Sequence, residues 1–341
     1  MNKLFSTRTL SFTAAAAMAL SLTACGGNPS ASAAPAGSAA PEGGDGYKIA
    51  VVRQLDHASM NEIRDAIDGE LDAKAKELGV EISYTDFNGN NDPSTLAQIG
   101  AQIIADGYDA IIPIGTTAAQ QMAAAAQETK TPVIYATVSY PEEAGLTGID
   151  YVTGTSDALD TEFLLDMVLA QDPDIKTVGL LYSTSEVNSA PAIETAKAYL
   201  DSKGVAYLEK TGNTADEVVS AVNSMRDQVD AVFTPTDNVV MNAELAIAPT
   251  LIEAGIPHYA GADSFVRNGA FATCGVNYGD LGAKTADMAV DVLQTGEFPE
   301  FLSVAGDIIT VNTDTASALG IDYSVFKDMA SELVEVTTSQ D

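Results

Sequence analysis

From residue 47 onward the chain alternates between two hydrophobic periods. KIAVVRQ (48–54) is a short β-rich run, whereas DHASMNEIRDAIDGELDAKAKELG (56–79) repeats its apolar positions at helical spacing and closes at Gly79. The alternation continues with a strand in EISYTDF, a helix in STLAQIGAQIIADG closed by Gly107, and a strand in DAIIPIG. The alanine-rich helix TTAAQQMAAAAQET and the strand PVIYATV follow. After GIDYVTGTSD the rhythm restarts with helix LDTEFLLDMVLAQ, strand KTVGLLYS, helix APAIETAKAYLDSKG and strand AYLEKTG. Helix TADEVVSAVNSMRDQ, strand DAVFTPTD, helix NAELAIAPTLIEAG and strand HYAGAD complete it. Strand–helix–strand units at this tempo predict an α/β fold with two Rossmann-like lobes, each a parallel sheet covered on both faces. Lobe 1 is expected over 47–150, with a return segment near 271–300. Lobe 2 is expected over 155–265, with the C-terminal segment 303–330.

The first residues carry a different pattern. Lys3 and Arg8 precede the small, apolar stretch Leu10–Leu22, which is too short to span a bilayer as a stable helix. It ends in Leu22-Thr23-Ala24-Cys25, an arrangement similar to the bacterial lipobox, in which the cysteine is acylated on sulfur. Residues 1–24 are therefore expected to be a lipoprotein signal peptide and Cys25 the lipid attachment site, with palmitate as the kind of chain carried. Residues 25–46 are mostly Gly, Ser, Ala and Pro and bury too little to offset their ordering entropy, so they read as a flexible tether. At about 5–6 Å times the square root of its length, such a tether holds a body some 25 Å from the membrane. The expected location is the extracytoplasmic face of the cell membrane.

Composition narrows the function. The formal net charge is −32, from 16 Lys and Arg against 48 Asp and Glu. Phosphate binding needs clustered cations, so nucleic acid is excluded as a partner. The only histidines are His57 and His258, without HExxH or CxxC spacing, so neither a metal nor another cofactor is expected. With Cys25 lipidated, Cys274 in the run AFATCGVNY has no partner and reads as a buried thiol. No GxSxG elbow and no GxxxxGK[ST] loop occurs, and no GxGxxG follows the first strand. His57 beside Asp56 makes an acid–base pair on paper, but adjacent residues of one loop rarely face each other. No enzyme is expected.

In an open parallel sheet, ligands bind beyond the carboxyl ends of the strands, where helix N-termini point. The first half offers Asp56 and His57, then Thr116 and Thr117, then Ser139 and Tyr140. The second half offers Glu186 and Asn188, then Asp237 and Asn238, then Asp263 and Ser264. Thr116 and Thr117 open a helix, so hydroxyls and free N–H groups converge where an anion would sit, although Thr117 also suits a simple N-cap. Glu186, Asp237 and Asp263 suit an ammonium group, and each equally suits a cap for its following helix. An anion site on one lobe and carboxylates on the other fit a zwitterion such as an amino acid.

The ordered set DHASMNEIRDAIDGEL, IGTTAAQQMAAAAQ, PVIYATV, VTGTSD, LLYSTSEVNS, PTDN, GADSFVRNGA and GVNYGDLGAKTADMAVDVL resembles the substrate-binding lipoproteins of ABC transporters, in the branch of tryptophan and tyrosine transporter components. The resemblance covers residues 47–321. It implies a type I periplasmic-binding-protein fold with a multi-strand hinge, closing over an amino acid, with a membrane permease and a separate ATPase as partners. Its ligand loops fall on Thr116–Thr117, Glu186–Asn188, Asp237–Asn238 and Asp263–Ser264. The loop after PVIYATV departs from the family's usual Asp-Pro, reading Ser139-Tyr140-Pro141. Tyr140 there offers a stacking face for an aromatic side chain, with Phe265 and Tyr278 near neighbouring loops. A sensory lipoprotein of the same fold, signalling to a membrane receptor, is the alternative.

Overall fold

A computed structural model describes residues 46–304, 306–329 and 331–339. The expected leader, Cys25 and the tether up to residue 45 lie outside the described residues.

The chain begins with β1 (Tyr47–Arg53), α1 (Ala58–Leu78), β2 (Ile82–Asn88), α2 (Pro93–Ala105), β3 (Ala110–Ile114), α3 (Thr116–Ala125), β4 (Val133–Tyr135) and β5 (Val152–Ser156). These strands pair in parallel in the order β5-β4-β3-β1-β2. At its centre Val51 lies beside Asp86 on one flank and Ile112 on the other. Helices cover both faces, so Ile49, Ala50, Val51 and Val52 are all buried, which is why β1 reads as a continuous apolar run. His57 caps α1 by accepting from the Met60 N–H, and Gly79 closes the helix at φ 66°.

The second half runs α4 (Thr161–Gln171), β6 (Thr177–Tyr182), α5 (Ser189–Lys203), β7 (Ala206–Thr211), α6 (Ala215–Met225), β8 (Ala231–Thr234), α7 (Asn238–Glu253), β9 (His258–Ala260), α8 (Asp263–Arg267) and β10 (Ala272–Gly275). The rest is α9 (Tyr278–Thr295), β11 (Leu302–Ser303), β12 (Ile308–Asn312), α10 (Thr313–Leu319), a 3-10 turn (Ser324–Asp328) and β13 (Glu332–Val336). The second sheet has the order β13-β12-β10-β9-β8-β6-β7, parallel except between β10 and β12.

The segment boundaries differ from the sequence reading in instructive ways. β5 stays in the first sheet to Ser156, beyond the expected end at 150. β10 belongs to the second sheet, although the expected return segment began near 271; its run FATC is buried between Tyr259 and Val311, its partners across the sheet. The return to the first lobe starts with α9, which packs along α1. Gly282 makes that approach possible, because a Cβ there would meet the Ile63 carbonyl oxygen at 2.6 Å. Ile63, Ile67 and Leu71 of α1 are thereby fully buried, a contribution of about 1.5–3 kcal/mol each. β11 then adds to β5 at the edge of the first sheet, and β12 rejoins the second. The chain thus crosses between the sheets after β5, after β10 and after β11, and this is a multi-strand hinge. α7 begins at Asn238, earlier than the apolar pattern from residue 242 suggests, because Asp237 caps it there. Among the described residues no helix is long and apolar enough to cross a membrane.

Candidate functional site

The strand ends of both sheets face a shared cleft. Its cavity is lined from the first lobe by His57, Ser59, Met60, Ile63, Thr116 and Ser139, and from the second by Asn188, Asp237, Asn238, Met241, Ser264 and Phe265. Thr137, Asp157 and Tyr278 lie where the lobes join.

Asp157 directly follows β5 and is buried. Its Oδ1 accepts from the Ser139 hydroxyl at 2.9 Å, and its Oδ2 accepts from the Thr137 hydroxyl at 2.5 Å and the Tyr278 hydroxyl at 3.4 Å. Burial pushes its pKa up, and the Thr137 and Ser139 donors hold it back. Thr137 reaches it from a left-handed backbone conformation, φ 55°, which a β-branched residue adopts only under local constraint. Ser59 Oγ and Asn188 Oδ1 are buried at the cavity without a hydrogen-bond partner, and so remain available to a bound solute. Ser59 lies in the first turn of α1; Asn188 is anchored by its amide, which donates to the Thr236 carbonyl at 2.7 Å.

Asp237 takes the cap role, one of the two its sequence position suggested. Its Oδ1 accepts from the N–H groups of Val239 and Val240, both at 3.0 Å, and its Oδ2 from Ser183 N at 2.7 Å and Ser189 Oγ at 2.6 Å. The carboxylate borders the cavity, yet four donors of its own lobe engage both oxygens. Burial raises its pKa, against those same donors.

Glu186 lies behind the cavity wall. Its Oε1 accepts from Gln54 Nε2 at 2.9 Å and its Oε2 from Asn238 Nδ2 at 2.8 Å. Burial, and secondarily the neighbouring Asp237 charge, push its pKa up to about 8. His57 Nε2 lies 3.0 Å from Asn238 Oδ1, and burial lowers the His57 pKa, which keeps the ring neutral. Ser139 Oγ and Thr236 Oγ1 are 3.2 Å apart. These contacts join the two lobes directly.

Of the residues chosen from sequence, His57, Thr116, Ser139, Asn188, Asp237, Asn238 and Ser264 line the cavity. The others stand outside it. Asp56 is exposed and paired with Arg53 at 3.2 Å. Thr117 contributes a backbone N–H that donates to Gln54 Oε1 at 3.0 Å, not a lining side chain. Tyr140 is half-buried away from the lining, so its ring offers the cavity no stacking face. Asp263 forms an ion pair with Arg267 at 3.0 Å in a neighbouring recess that Glu62 also lines. Sequence reasoning missed Asp157, Thr137, Ser59 and Gln54. The strand-end rule itself could have found Asp157, had VTGTSD been taken as a strand of the first sheet instead of a link.

Two α/β lobes with parallel-dominated sheets, joined by a multi-strand hinge around a polar-and-apolar cleft, make this a type I periplasmic-binding-protein fold and a solute-binding protein. The chain belongs to the ABC transporter substrate binding protein family, whose model matches residues 48–327. Members of this family bind solutes for ABC transporters and are not enzymes. The chain is 31% identical over 280 residues to a tyrosine-binding protein of Clostridioides difficile, covering 80% of each. It superposes with a TM-score of 0.75, at 30% identity, on a Streptococcus pneumoniae ABC domain in complex with L-Trp, covering 84% of this chain and 99% of that one. It superposes at 0.65, again at 30% identity, on the ligand-free, open structure of a Clostridium difficile substrate binding protein with adhesive properties, covering 86% and 100%.

Proposed function

We propose that this chain is the lipid-anchored, extracytoplasmic receptor of an ABC importer and that it captures an aromatic amino acid by closure of its lobes. The observation that carries this reading is the mixed lining of the cavity. Asp157, Thr116, Ser139 and the unpartnered Asn188 Oδ1 line it together with the apolar side chains of Met60, Ile63, Met241 and Phe265. Asp157 and Asn188 Oδ1 present acceptors to an ammonium group. The Thr116 hydroxyl, at the N-terminus of α3, suits a carboxylate. The apolar residues suit a ring, with the Met thioethers and Phe265 favouring aromatic contact. No lysine or arginine lines the cavity, which suits a zwitterion over a net anion. Relatives described as tyrosine-binding and L-Trp-bound support the same ligand class.

The chain contains no tryptophan, so indole emission in a titration comes only from added ligand. Burial of L-tryptophan in the cleft is expected to shift that emission to the blue and raise its anisotropy, saturating at one equivalent, with L-tyrosine competing. Unchanged emission, together with thermal stabilisation by an aliphatic amino acid or a sugar, would refute the aromatic assignment. The anchor is tested separately, by labelling with a palmitate analogue: Cys25→Ala is expected to abolish the label, and a label that persists overturns the lipid reading.

A further inference from the structure

Glu186 is buried, belongs to the second lobe, and does not line the solute cavity. Its two carboxylate oxygens nevertheless collect donors that trace back to the first lobe. Gln54 donates to Oε1 while its own Oε1 accepts the Thr117 N–H that opens α3. Asn238 donates to Oε2 while its Oδ1 faces His57 Nε2 at 3.0 Å. His57 Nδ1 accepts the Met60 N–H that opens α1, which places the ring proton on Nε2, directed at Asn238. Two helix N-termini of the first lobe are therefore linked, through one side chain and through two, to a single carboxylate of the second. Gln54 is held before closure, because Asn91 Oδ1, at 2.8 Å from its Nε2, and the Thr117 N–H both belong to its own lobe. Gly115, at φ 97°, makes room for it: a Cβ there would meet Gln54 Oε1 at 2.8 Å.

We propose that Glu186 is the keystone of an inter-lobe latch, engaged by Gln54 directly and by His57 through Asn238, that sets the balance between open and closed lobes without touching the solute. This rests on the reading that solute is captured by lobe closure. Opening breaks Glu186–Gln54 and Asn238–His57, while the other hydrogen bonds of the latch stay within one lobe. The latch is preorganised on both sides, so closing it costs little side-chain ordering. Glu186 is a positioning residue, and its removal acts on every solute alike.

The test uses the full chain in detergent, with Glu186→Ala, Gln54→Ala and the double substitution. Small-angle scattering without solute reads the lobe balance, and stopped-flow indole anisotropy reads release of L-tryptophan. Each single substitution is expected to enlarge the radius of gyration and to speed release by about ten- to hundredfold. The double substitution should add little, because both residues serve one contact. Affinities for tryptophan, tyrosine and phenylalanine should fall by a common factor. Gln54→Ala, which leaves Glu186 in place, carries the test if Glu186→Ala melts early. Scattering and release rates equal to those of the unmodified chain overturn the proposal, and so does a loss confined to one amino acid, which would make Glu186 a solute contact. If the unmodified chain binds none of these amino acids, the ligand assignment fails while the scattering comparison still decides the latch.

Discussion

The Ser139 hydroxyl donates to Asp157 Oδ1 at 2.9 Å, tying the loop after β4 to the residue at which the chain leaves the first sheet. Asp157 is thereby a fixed carboxylate at the cleft, with Thr137 and Tyr278 holding its other oxygen. Hydrogen bonds to a charged group contribute about 1.5–3 kcal/mol. Asp157→Asn is expected to weaken L-tryptophan roughly ten- to hundredfold. Indole anisotropy titration checks this, and an unchanged Kd would remove Asp157 from the ammonium site.

Asp237 is expected to matter more for stability than for recognition. Asp237→Ala removes the cap of α7 and the links to Ser183 and Ser189, and should lower the unfolding free energy by about 2–4 kcal/mol. Denaturant titration measures it. A full-strength midpoint combined with lost affinity would instead make Asp237 a direct solute contact.

Solute affinity should depend on pH through the latch. The charged and titratable groups facing Glu186 are Asp237 and, beyond Asn238, His57. In closed lobes Glu186 is pushed up to about 8 from an ordinary value of 4.5. Closure is therefore favoured while Glu186 holds its proton, and that advantage is lost as pH rises towards the closed-state value. His57 is shifted the other way, so closure also weakens as pH falls below its ordinary 6.5. Affinity for L-tryptophan is expected to drop roughly tenfold between pH 6.5 and 8 and to level off above. Glu186→Gln should flatten that limb, and an alkaline limb that survives in this variant assigns it to another group.

Gly282 should tolerate no larger residue. A side chain there meets the Ile63 carbonyl at 2.6 Å and Ala66 Cβ at 2.9 Å, separating α9 from α1. Gly282→Val is expected to cost about 1–3 kcal/mol or more by overpacking and by spoiling a helix position, read as a lowered melting temperature. An unchanged melt would show that α9 can shift without loss of packing.

The sequence by itself determined the alternation of strands and helices, the two-lobed α/β class and the loops that face the cleft. Those features follow from local physics: buried parallel strands need continuous apolar runs such as IAVV in β1, and helices declare themselves by period and by ends such as Gly79 and Gly107. His57, Thr116, Ser139, Asn188, Asp237, Asn238 and Ser264 were reachable from sequence because strand ends in an open sheet must point at the cleft. Tertiary structure alone decided what each of them does there. Asp237 and Asp157 are both acids at strand ends, and only the donors that fold around them separate a helix cap held within one lobe from a carboxylate held by hydroxyls where the lobes join. Gln54 and Glu186 are 132 positions apart, and no local pattern announces their contact. The placement of β10 in the second sheet and α9 on the first lobe was hidden for the same reason: a buried apolar strand or helix face shows that it has a partner, while the partner is chosen by packing between distant segments.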